Sequence, residues 1–170
     1  NTTASNNTAF GSAALYANTT GAENTAVGIN SLDANTTGIQ NVAVGANALT
    51  TCTTGDNNAA VGRESLRLLT TGDDNTAIGD NAGAAITTAN WNTMVGNGAG
   101  NTTTTGNSNV CVGNAARTTS AEKINCIVIG DNIAGDTNDF TFGKASNTVY
   151  NTFTANASWS RVSDERRKTN

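Results

Sequence analysis

The chain has 170 residues, of which only 13% are charged, with a formal net charge of −4 and neither histidine nor proline. Without histidine it lacks the usual general base and the commonest metal ligand. Residues 1–135 carry nine acidic and four basic side chains with no basic stripe, which excludes the electrostatic footprint of a nucleic-acid binder. No apolar run reaches the roughly 18–20 residues of a membrane span, so membrane insertion is not expected. No segment has the pattern of a signal peptide, and a chain beginning at Asn1 is expected to be a fragment. The three cysteines, Cys52, Cys111 and Cys126, are odd in number and lack metal-ligand spacing. They read as small apolar fillers, and neither a metal nor a cofactor is expected.

In chain order, the first element to recur is a 17-residue unit. Asn24–Gln40 (NTAVGINSLDANTTGIQ) aligns without gaps on Asn41–Asn57 (NVAVGANALTTCTTGDN). Gly11, Gly28, Gly45, Gly62, Gly79, Gly96, Gly113 and Gly130 all fall 17 apart, and a second series runs through Gly21, Gly38, Gly55, Gly72 and Gly106. Seventeen residues are too few for a helix pair but suit one coil of a β-solenoid, with two short strands and two turns. Both glycine series are expected at turns, where positive φ favours glycine. Eight coils stacked at the strand spacing of a sheet make a rod on the order of 40 Å long. The fold class is therefore all-β, a β-solenoid or β-roll.

Each coil opens with a strand of the type Asn-Thr-Ala-Val-Gly. One position is always apolar: Phe10, Val27, Val44, Val61, Ile78, Val95, Val112, Ile129. The preceding position is small or apolar and never charged: Ala9, Ala26, Ala43, Ala60, Ala77, Met94, Cys111, Val128. Adjacent strand residues point to opposite faces, so both faces of this strand read as buried. The Val/Ile face is assigned to the coil interior. The Ala face then needs a cover, either a partner chain or a second layer of the same chain. So short a coil has little left to supply such a layer, which favours an oligomer packed through its alanines.

Asparagine opens seven of the eight coils, with Cys126 the exception, and a rank of Asn amides can hydrogen-bond along the stack. Two adjacent Thr ranks start at Thr19 and Thr20. Because neighbours face opposite ways, only one could meet a flat surface such as ice, and Thr ladders favour strands in any case. The Leu series (Leu15, Leu32, Leu49, Leu66) gives way to Gly83, Gly100 and Arg117, so the cross-section is expected to change near residue 83. Trp91 reads either as an exposed aromatic or as a local plug. The repeat ends near Gly135. Five of the eight aromatics follow, Phe140, Phe142, Tyr150, Phe153 and Trp159, and these read as strands of a different unit that plugs the rod. The division is a repeat shaft over 1–135, an aromatic-rich β tip over 136–162, and a charged octet, SDERRKTN, over 163–170.

The NTAVG coil resembles the head repeats of trimeric autotransporter adhesins (YadA-like heads) and, equally, the repetitive shafts of phage tail fibres, over residues 1–135. The resemblance implies a left-handed, homotrimeric β-roll, against the usual right-handed crossover. The octet resembles the opening of the intramolecular-chaperone autoprocessing domain that ends many phage tail fibres, whose pattern is Ser-Asp-x-Arg-Leu-Lys. Ser163, Asp164, Arg166 and Lys168 match, and Arg167 stands where Leu is usual. By that resemblance Ser163 is the nucleophile and Lys168 its base, cutting the Val162–Ser163 bond, and only in a precursor that carries the whole chaperone domain. A lysine whose pKa is lowered by burial can serve such a serine. Near-identical coils would need this help to avoid slipping by 17 residues.

The expected function is structural and adhesive. The chain would be the distal part of a trimeric phage tail fibre on the virion, binding a bacterial surface glycan or protein through Phe140, Phe142, Tyr150, Phe153, Trp159 or the turns. The alternative is the head of a bacterial trimeric adhesin at the cell surface, although no heptads follow the repeat. A polysaccharide-cleaving enzyme would need paired carboxylates in a groove, and Asp56, Asp73 and Asp74 fall in repeat turns without a clear pair.

Overall fold

A computed structural model describes residues 3–152. Eight parallel strands recur once per coil: β1 (Thr8–Phe10), β2 (Thr25–Val27), β3 (Val42–Val44), β4 (Ala59–Val61), β5 (Thr76–Ile78), β6 (Thr93–Val95), β7 (Val110–Val112) and β9 (Ile127–Asp131). Each pairs with the residue 17 positions on, as in Ala26↔Ala43 and Ala43↔Ala60. The chain is therefore an all-β solenoid of about eight stacked 17-residue coils.

The rest of each coil departs from the expected second strand. Among the described residues that strand forms once only, where β8 (Arg117–Thr118) pairs with β10 (Ala134–Gly135). In the earlier coils the wall opposite the main sheet passes through left-handed residues, such as Asn30 (φ 51) and Leu32 (φ 52). Asparagine tolerates this conformation because its short side chain bonds locally. The coils are still hydrogen-bonded there, in both directions along the stack. Leu32 N–H donates to Ala48 O (2.9 Å), and Asn47 N–H donates to Ile29 O (2.9 Å).

The glycine expectation is half corrected. The first series has the positive φ anticipated for it, whereas Gly21, Gly38, Gly55, Gly72 and Gly106 are not left-handed. They answer to space instead: a Cβ on Gly38 would lie 2.5 Å from Gly55 O in the next coil.

The assignment of faces is reversed. Ala26, Ala43, Ala60, Ala77, Met94, Cys111 and Val128 are fully buried inside the single chain, so the alanines face the core and not a partner. The opposite wall supplies the reason. Leu32, Leu49 and Leu66 are fully buried and project inward from their left-handed positions. A 17-residue coil encloses one narrow layer, and a large residue on one wall requires a small one on the other. The Val/Ile rank points out, with Val61 and Ile78 38% and 45% exposed.

The asparagine rank forms a continuous ladder, although its main partners are backbone groups. Asn24, Asn41, Asn58, Asn75, Asn92, Asn109 and Cys126 each donate a backbone N–H to the Asn Oδ1 of the preceding coil, at 2.8–3.1 Å. Their Nδ2 atoms turn to a carbonyl, Asn58 to Gly72 O at 2.8 Å and Asn75 to Ala89 O at 2.8 Å. Direct amide contacts are also present, as between Asn58 Nδ2 and Asn41 Oδ1 at 3.1 Å. Cys126 takes the last rung, past which the 17-residue step no longer continues. Asn58→Ala leaves Asn75 N–H and Gly72 O buried without this partner. At roughly 1–3 kcal/mol per orphaned group the loss is about 3 kcal/mol, to be measured by urea unfolding.

Past β9 the coil shortens. In β11 (Asp139–Lys144), Phe140 pairs with Ile127, a step of 13 residues, still parallel. The strand β12 (Asn147–Thr152) then folds back antiparallel on β11. This hairpin continues the main sheet instead of plugging the rod. The interior at this end is filled by Val128, Ile133 and Thr141, while Phe142 and Tyr150 are exposed.

Candidate functional site

Three-residue strands with only the central side chain turned inward leave two outward ranks on one continuous sheet. The first runs Thr25, Val42, Ala59, Thr76, Thr93, Val110, Ile127. The second runs Val27, Val44, Val61, Ile78, Val95, Val112, Ile129. Phe140 and Phe142 extend the two ranks onto β11, with ring centroids 5.5 Å apart. Neither rank contains a charge. Ten strands at about 4.8 Å, each three residues of about 3.3 Å, give this face a footprint of roughly 450 Å². Parallel sheets are ordinarily covered on both faces, and bare apolar patches of a few hundred Å² usually mark interaction sites. The sequence pattern assigns the Val27–Ile129 rank to the coil interior. The signal that could have corrected it is the Leu15–Leu66 column, which already fills the interior opposite the alanines.

The other flagged residues divide clearly. Tyr150 is 47% exposed on β12. Phe153, Trp159, Ser163 and Lys168 lie outside the described residues. Trp91 is an exposed aromatic, not a plug, at 60% exposure on a left-handed corner. In the Thr36 rank the hydroxyls are consumed along the stack, Thr36 Oγ1 donating to Thr53 O (3.0 Å) and Thr70 Oγ1 to Thr87 O (3.0 Å). The neighbouring rank, Thr37, Thr54, Thr71, Thr88 and Thr105, faces water.

The acidic turn residues are engaged in similar work. Asp56 Oδ1 accepts Ile39 N–H (2.8 Å), and Asp73 Oδ1 accepts Asp56 N–H (2.8 Å). At the far end Lys123 pairs with Asp136 (2.6 Å), which holds the exposed Asp136 carboxyl below its ordinary pKa. All three cysteines are buried and unpaired. Burial pushes the Cys52 and Cys126 thiols up to about 11 and Cys111 to about 12. Thiols so disfavoured as thiolates are poor nucleophiles and poor metal ligands. Among the described residues no group of three or more Cys, Asp or Glu is placed to hold a metal ion, and no helix is long and apolar enough to cross a membrane.

No family model matches the chain, and no curated protein or solved structure matches it significantly.

Proposed function

We propose that this chain is the structural and adhesive distal part of a trimeric phage tail fibre, attaching to a receptor on a bacterial surface. One observation carries the reading: the charge-free outer face of the parallel sheet runs the length of the solenoid without a cover. Three copies packed around an axis through this face bury it, and the common strand spacing lets the ranks interdigitate. The axis is thus lined by valine and isoleucine, while the alanines stay inside each subunit. The likeness of the NTAVG coil to adhesin heads and fibre shafts adds left-handed winding. The likeness of Ser163–Lys168 to an autoprocessing start adds a removable assembly factor. In such a trimer Phe140 and Phe142 belong to the contact face, which leaves Tyr150 as the receptor candidate of the tip within the described residues.

The test is the mass in solution together with adsorption to bacteria. The wild-type chain is expected to sediment as three copies and to block adsorption of the parent particle. Ile78→Lys places three like charges at the axis and is expected to yield single chains with the solenoid's circular dichroism intact. A wild-type species of one chain overturns the trimer, and turnover of a surface polysaccharide overturns the purely adhesive role.

A further inference from the structure

The repeat is broken most conspicuously in the fourth coil, which reads Gly-Arg-Glu-Ser-Leu-Arg-Leu-Leu over 62–69 where its neighbours are nearly uncharged. Two of the four basic residues of the repeat region are Arg63 and Arg67. The following coils depart the other way and shrink. One column along the stack runs Asp33, Thr50, Arg67, Ala84, Asn101, and the next runs Ala34, Thr51, Leu68, Ala85, Thr102. Ala84 and Ala85 therefore form a low floor between Arg67 and Asn101, and Gly98 keeps one side open. The result is a groove of about 330 Å³, with Asn81 also on its lining. Arg67 and Asn101 are two coils apart, about 10 Å, which is room for one pyranose ring.

The guanidinium of Arg67 is under-used. Glu64 is already paired with Arg63 (2.5 Å), which also holds Asp80 (2.9 Å). Arg67 reaches Glu64 only through Nε at 3.4 Å, and that buried Nε has no hydrogen-bond partner. A guanidinium offers five donors in a planar fork that matches a carboxylate. Asn101 offers an amide to hydroxyl groups, Asn81, whose Nδ2 donates to Asp80 Oδ2 (3.1 Å), offers its Oδ1, and Leu68, Ala84 and Ala85 offer a small apolar floor to the C–H face of a ring. No aromatic lines the groove to hold a bulky apolar side chain. We infer that this groove binds a carboxylate-bearing sugar, a uronic or sialic acid unit, with Arg67 on its carboxylate. The groove lies on the wall opposite the strands, since Gly83 there faces Met94 across the core, so a trimer packed through the sheet leaves it open. The inference deepens the adhesive reading and rests on it for the choice of a surface glycan.

The test is an NMR titration of the full chain with oligoglucuronate, with glucose oligomers of equal length and with a short peptide carboxylate. Oligoglucuronate alone is expected to shift the amides of Ala84, Gly98 and Asn101. Arg67→Gln is expected to weaken its binding at least tenfold. Ala84→Leu, which fills the notch and leaves the arginine in place, should do the same, with unchanged circular dichroism for both variants. No shift at these amides, an equal response to glucose oligomers or the peptide, or binding unaffected in both variants overturns the proposal. Adsorption to bacteria is measured on the same variants. Retained adsorption without glucuronate binding discards the groove alone, whereas glucuronate binding by a chain that never adsorbs discards the attachment role alone.

Discussion

Gly62→Ala is expected to prevent the middle of the solenoid from forming. Gly62 sits at φ +135, a region that L side chains scarcely enter, at a cost of about 1–3 kcal/mol. A Cβ there would lie 2.4 Å from Gly79 O and 2.6 Å from Gly79 C. Those atoms are backbone of the next coil and cannot rotate aside. Relief requires the fourth and fifth coils to part, which breaks the Gly79 N–H bond to Val61 O (2.8 Å) and weakens the strand pairing beside it. Adding one or two lost ladder bonds brings the total to about 4 kcal/mol or more, a large share of the roughly 5–15 kcal/mol that holds a domain together. The informative control is Gly98→Ala. Its φ of +60 is one that Asn and Leu adopt elsewhere in this chain, and its added Cβ would meet only Asn101 Nδ2, at 3.8 Å. That change is expected to cost about 1–2 kcal/mol, the penalty of a left-handed L residue that meets no clash. Urea unfolding of both variants separates a clash with the neighbouring coil from a general intolerance of side chains at positive φ. Equal, small losses would show that the coils can separate cheaply.

The same stacking explains what could be read from the sequence and what could not. A residue in one coil meets its equivalent in the next, so any feature that depends on self-contact shows as a 17-residue rank. Gly62 against Gly79 and Asn58 against Asn75 are of this kind, and both ranks were visible. A feature that depends on contact across the coil leaves no such mark. Alternation separates Ala60 from Val61 without saying which points inward. That answer rests with Leu66, six residues further on, and with a left-handed bend that no strand pattern announces. Alternation alone therefore puts the inward rank on the wrong side of the sheet. The aromatic segment misled for a related reason: Phe140 and Phe142 look like a plug by composition, but their two-residue alternation continues the outward ranks of β9. The Arg67 groove needed knowledge of which columns adjoin, yet its ingredients, a charged coil followed by Ala84, Ala85 and Gly98, were departures from the repeat open to inspection.

Those departures also predict a compensated pair in the core. In the second to fourth coils alanine on the strand faces leucine on the far wall. In the sixth, Met94 replaces the alanine and Gly100 the leucine. A Cβ on Gly100 would lie 2.2 Å from Met94 Sδ and 2.8 Å from its Cε, so the methionine fills the volume the leucine would take. Gly100→Leu alone overfills the layer. The backbone is no obstacle, since φ there is +69 and Leu49 and Leu66 sit at +52 and +48, so its expected cost is the roughly 1–3 kcal/mol of overpacking. Met94→Ala alone empties the layer at about 2–5 kcal/mol. Made together, they recreate the Ala–Leu layer of the earlier coils and are expected to be within about 1 kcal/mol of wild type, an interaction energy of about 2 kcal/mol or more. Urea unfolding of the four proteins measures it. If the two losses simply add, the walls are not in contact through this pair, and the change in cross-section beyond residue 83 is not the volume exchange described.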